Sequence, residues 1–81
     1  MKKEKELRAA LSKFIAAKKK MEKLHDIHNM ISVELEYSIY STGESKIKCT
    51  LYQGAAGHVQ GKTWEEAFVN LREVQRERGL D

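Results

Sequence analysis

The stretch Gly57–Val74, GHVQGKTWEEAFVNLREV, changes its periodicity halfway along. The segment HVQ, bracketed by Gly57 and Gly61, is long enough for a short strand. After it, Trp64, Ala67, Phe68, Leu71 and Val74 recur at the three-and-four spacing of a helix with one apolar side. Thr63 and Glu66 stand at the T-x-x-E spacing of a capping box, in which each side chain satisfies a free backbone donor of the first turn. Arg72, Arg76 and Arg78 crowd toward the far end, and Gly79 suits the residue just past it. The stretch therefore turns a strand into a capped helix and sets that helix against a sheet, which the residues upstream must supply.

They do so with period two. In ISVELEYSIY (31–40), Ile31, Val33, Leu35, Tyr37 and Ile39 point one way, while Ser32, Glu34, Glu36, Ser38 and Tyr40 point the other. STGES follows as a turn, with Gly43 supplying the backbone freedom. KIKCTLY (46–52) alternates again, with Ile47, Cys49 and Leu51 on the apolar side. A hairpin keeps both apolar rows on one face only if odd residues oppose odd residues, since a slip of one residue reverses every side chain. That register makes Glu34 and Glu36 cross-strand or diagonal neighbours of Lys46 and Lys48 on a wet face that also carries Tyr40 and Tyr52.

Upstream again, residues 3–25 read as one helix. Leu7, Ala10, Phe14, Ala17, Met21 and Leu24 form its stripe, and Leu11 and Ile15 widen it to the breadth of a core-facing side. At about 1.5 Å per residue such a helix is ~35 Å long, against ~30 Å for a nine-residue strand, so it overhangs the sheet. The whole order is α–β–β–β–α. The expected class is α+β: one domain over residues 1–81, with a long N-terminal helix and a C-terminal helix (63–78) on one face of an antiparallel β-meander (31–61).

The net charge of +3 conceals an asymmetry: residues 1–25 carry eight Lys and one Arg against three Glu, a net of +6, and the remainder carries −3. A basic arm on a mildly acidic body suits an acidic partner or a solvated face. Cys49 is the single cysteine, so no disulfide forms within the chain, and the expected location is a reducing cytoplasm. The lysines near the start are followed by no unbroken apolar run, so neither a signal peptide nor a membrane span is expected.

Residues 31–74 resemble the N-terminal domain of the HicB antitoxin family. There a β-meander leads through a short strand into a helix whose start reads G-x-T-x-E-E-A, followed by N-(hydrophobic)-x-E. Gly61, Thr63, Glu65, Glu66, Ala67, Asn70, Leu71 and Glu73 stand in that spacing. The resemblance implies a protein that neutralises a partner by binding it. The α–β–β–β–α order also resembles the double-stranded RNA-binding domain. That family grips phosphate with lysines at the start of its last helix, where this chain has Lys62 followed by Glu65 and Glu66, and carboxylates there repel phosphate.

No acid/base pair, phosphate loop or Ser/His/Asp arrangement stands at a recognisable spacing, so no catalytic site and no cofactor are expected. Cys49 belongs to the buried row, whereas a reactive thiol needs exposure and positive surroundings. His25 and His28, with His58, have the residue types of a metal site, but H-x-x-H without a cysteine pair fits polar residues at a helix end better, and no metal is expected. The leading expectation is a non-enzymatic module that regulates or inhibits a protein partner, in the manner of an antitoxin or a phage or prophage accessory protein. Tyr40, Tyr52, Glu34, Glu36, Lys46 and Lys48 would form its contact face. The alternative is nucleic-acid binding through Arg8, Lys13, Lys18, Lys19, Lys20 and Lys23. A homodimer through the N-terminal helix is a further expectation, motivated by the small core.

Overall fold

The computed structural model describes residues 2–24 and 30–79. It has the expected α+β architecture, with three antiparallel strands in the order β1–β2–β3 and all helices packed on one face. The strands are β1 (Ile31–Ile39), β2 (Ser45–Gln53) and β3 (Gly57–Gly61). Odd residues oppose odd residues, from Ile31↔Gln53 through Leu35↔Cys49 to Ile39↔Ser45. The apolar alternation thus sets the register, as a half-buried hairpin requires. At the hairpin turn, Gly43 adopts φ 90° and donates its N–H to the Tyr40 carbonyl at 2.9 Å.

The N-terminal helix is divided. α1 (Lys2–Ser12) and α2 (Phe14–Glu22) meet at Lys13, whose ψ of −2° leaves the helical range. The cause is local. Ser12 Oγ donates back to the Ala9 carbonyl at 2.9 Å, the same oxygen that accepts from Lys13 N–H at 3.2 Å. Hydroxyl back-bonding of this kind bends helices. The Lys13 carbonyl still accepts from Ala17 N–H at 3.0 Å, so helical hydrogen bonding runs through the junction. Glu4, Lys5 and Glu6 are exposed, and Leu7 is the first residue of the helix to pack on the core. The segment 25–29 lies outside the described residues.

The core is a single cluster in which Met21, Cys49, Leu51, Ala67 and Leu71 have essentially no exposed surface. α1 and α2 cover β1 and β2, while α3 (Trp64–Glu77) covers β3 and β2. Coverage is uneven. The inward row of β2 is buried, whereas Ile31, Val33 and Leu35 of edge strand β1 are half-buried and Ile39 is 70% exposed. Leu11 and Ile15 were expected to widen the packed stripe, yet they are 55% and 64% exposed. Only Leu7, Ala10, Phe14, Ala17, Met21 and Leu24 of this helical stretch pack into the core, which leaves that flank facing solvent.

α3 is seated by close contacts at its start. Thr63 Oγ1 accepts from Glu66 N–H at 3.2 Å, the forward half of the capping box. The return bond from the Glu66 side chain is not formed among the described residues, and Glu66 lines a hollow beside the sheet. Trp64 is 3% exposed, and its Nε1–H donates to the Ala10 carbonyl at 2.7 Å. Phe14 meets its ring edge-on at 5.8 Å. Farther along, Asn70 Nδ2 donates to the Gln60 carbonyl at 2.6 Å, and Arg78 Nη1 to the Ala55 carbonyl at 3.0 Å. Gly61 lets α3 approach the sheet: a Cβ there would stand 2.6 Å from Ala67 N and 2.9 Å from Glu66 Cβ. Gly61→Ala should therefore cost about 1–3 kcal/mol, the usual penalty of overpacking. Urea melts followed by Trp64 fluorescence measure it. A midpoint equal to that of the parent would show that α3 shifts freely.

Candidate functional site

Among the described residues, no helix or strand covers the sheet face opposite the helices. Cross-strand pairing places Glu36 opposite Lys48, with an ion pair at 3.4 Å, Ser38 opposite Lys46, and Glu34 opposite Thr50. The expected charged neighbours are thus side by side. The exposed carboxylates of Glu34 and Glu36 also stand on edge strand β1, where charge discourages pairing with another chain.

The two tyrosines do not form one cluster. Tyr52 lies opposite Ser32, whereas Tyr40 follows the last residue of β1, so they are separated by about eight residues or ~27 Å along the strand. Tyr52 is half-buried and tilts against His58, its cross-strand partner, with ring centroids 4.5 Å apart. Tyr40 is 47% exposed, and Lys46 Nζ stands 5.6 Å from its ring centroid.

Tyr40 opens onto a hollow of about 310 Å³. Its formation follows from strand length. β3 ends at Gly61 opposite Cys49, so the beginning of β2 runs on with no strand on the side away from β1. Glu36, Lys46 and Lys48 line the hollow with Tyr40, as do Lys62 and Glu66 from the β3–α3 join. Glu34 and Tyr52 lie outside it. Lys62 and Glu66 were not assigned to this surface from the sequence, although the signal was present. A five-residue segment between glycines cannot flank a nine-residue strand along its whole length.

The basic helix is partly used within the fold. Lys13 Nζ donates to Glu65 Oε1 at 2.8 Å, Lys18 lies 3.9 Å from Glu22, and Lys20 Nζ sits 4.3 Å above the Phe68 ring. Arg8, Lys19 and Lys23 are exposed, with no ion pair among the described residues. Cys49 is fully buried, and its thiol pKa is raised by burial, then by the charges of Glu65 and Glu66. The sulfur is held as the thiol, which is the unreactive form. His25 and His28 lie outside the described residues, and among the described residues no group of three His, Cys, Asp or Glu side chains is arranged to hold a metal ion. No helix among the described residues is long and apolar enough to cross a membrane.

Comparison with known proteins finds no matching family model, curated relative or solved structure. The fold and its surfaces define the chain only as a small α+β domain, and the likenesses to HicB antitoxins and double-stranded RNA-binding domains rest on the residues quoted for them.

The Lys13–Glu65 pair gives one pH dependence. The Lys13 hydrogen bond is the largest influence lowering the Glu65 pKa below the ordinary carboxylate range, followed by a backbone hydrogen bond. A depressed folded-state pKa contributes stability that is present above the unfolded carboxylate pKa and lost as pH falls through the folded value. Both side chains are exposed, so salt screens the effect. Glu65→Gln should therefore flatten the acid limb of a melting-temperature profile at low salt and leave the neutral-to-basic limb parallel. Superimposable acid limbs in the two proteins would show that the pair contributes nothing.

Proposed function

We propose that this chain is a non-enzymatic binding module whose uncovered sheet face receives a protein partner. The observation that carries the reading is the hollow beside Tyr40, where an exposed aromatic ring stands among Lys46, Lys48, Lys62, Glu36 and Glu66. An aromatic anchor with both charge signs around it suits a protein surface, because the ring supplies contact area and the charges select the partner. The buried, protonated Cys49 and the pairing of Glu36 with Lys48 and Glu65 with Lys13 favour binding over catalysis. A regulatory or inhibitory role and a cytoplasmic location complete the reading. The first follows from the HicB-like helix start, the second from a free thiol with no disulfide framework.

The nucleic-acid reading draws on the same charge asymmetry but has less to use. Of its six basic residues, Lys13, Lys18 and Lys20 are engaged within the chain. A homodimer has a specific observation behind it, since Leu11 and Ile15 lie exposed on the N-terminal helix.

Tyr40→Ala and Tyr52→Ala, made separately, test the sheet face. Using a partner captured by the intact chain, Tyr40→Ala should weaken binding by about tenfold or more, as loss of an interface aromatic does. Tyr52→Ala, remote from the hollow, should have the smaller effect. Undiminished capture by both folded variants would remove the sheet-face reading. For the homodimer, light scattering at high concentration should give twice the chain mass, falling to one with Leu11→Glu. A single-chain mass in the parent protein would exclude it.

A further inference from the structure

The helical layer has a groove of its own on the side of the molecule away from the sheet. It runs between α2 and α3 and encloses about 330 Å³. Its lining is apolar: Ala16 and Val69 are exposed at its mouth, Val69 by 56%, above half-buried Phe68 and buried Ala17 and Trp64. The alanines of α2 keep that wall low, so the floor is reachable from solvent. Lys13 and Lys20 edge one wall, and Glu65 and Arg72 the other.

These charges divide the groove into two ends. At one end Lys13 and Glu65 neutralise each other at 2.8 Å. At the other, Lys20 rests on the Phe68 ring and Arg72 has no carboxylate partner among the described residues. One helical turn farther on, Lys23 and Arg76, both exposed, extend the two walls by i+3 and i+4 spacing. The nearest acid on α2, Glu22, is paired with Lys18. Lys13 contacts Glu65 and Lys20 contacts Phe68, so α2 and α3 run in the same direction. The negative ends of both helix dipoles therefore lie at the cationic end and are already offset there by these side chains.

We infer that this groove is a docking site for an acidic amphipathic helix of another protein. Its apolar side chains pack on Ala16 and Val69, and its carboxylates lie between Lys20 and Arg72. The dimensions fit: Lys13 to Lys20 and Glu65 to Arg72 are each seven residues, about 10 Å or two turns of helix. That length accepts apolar side chains at i, i+3 or i+4, and i+7 of an incoming helix. A nucleic acid fits the same surface poorly. The Phe68 ring is covered by Lys20 and Trp64 is only 3% exposed, so no free aromatic face is offered to a base. Unlike the sheet-face reading, this one uses neither Tyr40 nor the hollow beside it, so the two stand or fall separately.

The test uses a fluorescein-labelled helical peptide of about 14 residues, with leucines along one side and glutamates flanking them. A second peptide has lysine for each glutamate. Anisotropy should show binding of the acidic peptide and about tenfold or weaker binding of the basic one, and amide shifts should map to residues 13–20 and 65–72. Val69→Asp at its exposed position should lower affinity about tenfold, and Tyr40→Ala should leave it unchanged. Lys20→Glu combined with Arg72→Glu should lose the acidic peptide and gain the basic one. That exchange cannot come from a misfolded chain, so it keeps the proposal testable if the single variants lose stability. Equal binding of both peptides, full affinity in Val69→Asp, or amide shifts confined to the sheet face would overturn the proposal. A duplex oligonucleotide of about 15 base pairs that binds these same amides more tightly than the acidic peptide would assign the cationic end to nucleic acid instead.

Discussion

The indole N–H of Trp64 donating to the Ala10 carbonyl joins the two ends of the chain, fifty-four residues apart in sequence. The donor is buried, so leaving it without a partner would cost more than the bond itself contributes. This bond fixes where the first turn of α3 meets the N-terminal helix, and the edge-on contact with Phe14 fixes the spacing between them. Gly61 brings that first turn down onto the end of β3, and Thr63 closes its free backbone donor. With the helices tied together on one side, no described element is left to cover the other side of the sheet. The open sheet face and the interhelical groove are consequences of the same junction.

How much of this could be read from the sequence differs between elements for physical reasons. The strands were legible because parity alone decides which way a side chain points: Ile47, Cys49 and Leu51 had to be inward, and once they were, odd residues of β1 had to oppose odd residues of β2, as Leu35 opposes Cys49. Parity is silent about position along a strand. It put Tyr40 and Tyr52 on one face without showing that they stand at opposite ends of it. The hollow depended on a difference in strand length, a relation between segments rather than within one. The division of the helix at Lys13 coincides with one hydroxyl choosing a carbonyl, which residue periodicity does not record.

The basic arm shows a similar limit. A net charge of +6 over residues 1–25 is a property of composition, while attraction to a partner depends on charge left unspent by the fold. Glu65 was read as a helix-start residue unfavourable to phosphate, and it is also the carboxylate that takes Lys13. Lys20 covers an aromatic ring that helical spacing would have assigned wholly to the core. Among the described residues, cations outside the ion pairs include Arg8 and Lys19 on the solvent side of the helix and Lys20, Lys23, Arg72 and Arg76 at the end of the groove. Arg72 comes from the part of the chain whose net charge is negative.

A two-layer domain of this size has two broad outer surfaces and one core between them, and here the core is shared by both. Ala67 and Leu71 press inward from the helix whose Phe68 and Val69 floor the groove, and Cys49 lies beneath them on the strand whose Lys46 and Lys48 line the hollow. A contact that shifts α3 along its axis would be felt at Glu66, which reaches the hollow, and at Glu65, which edges the groove, because the two are adjacent in the same first turn. Gly61 leaves that turn little room to move independently of β3. The physical coupling between the two surfaces is therefore the seating of one helical turn, held by Thr63 from below and by Trp64 from the side.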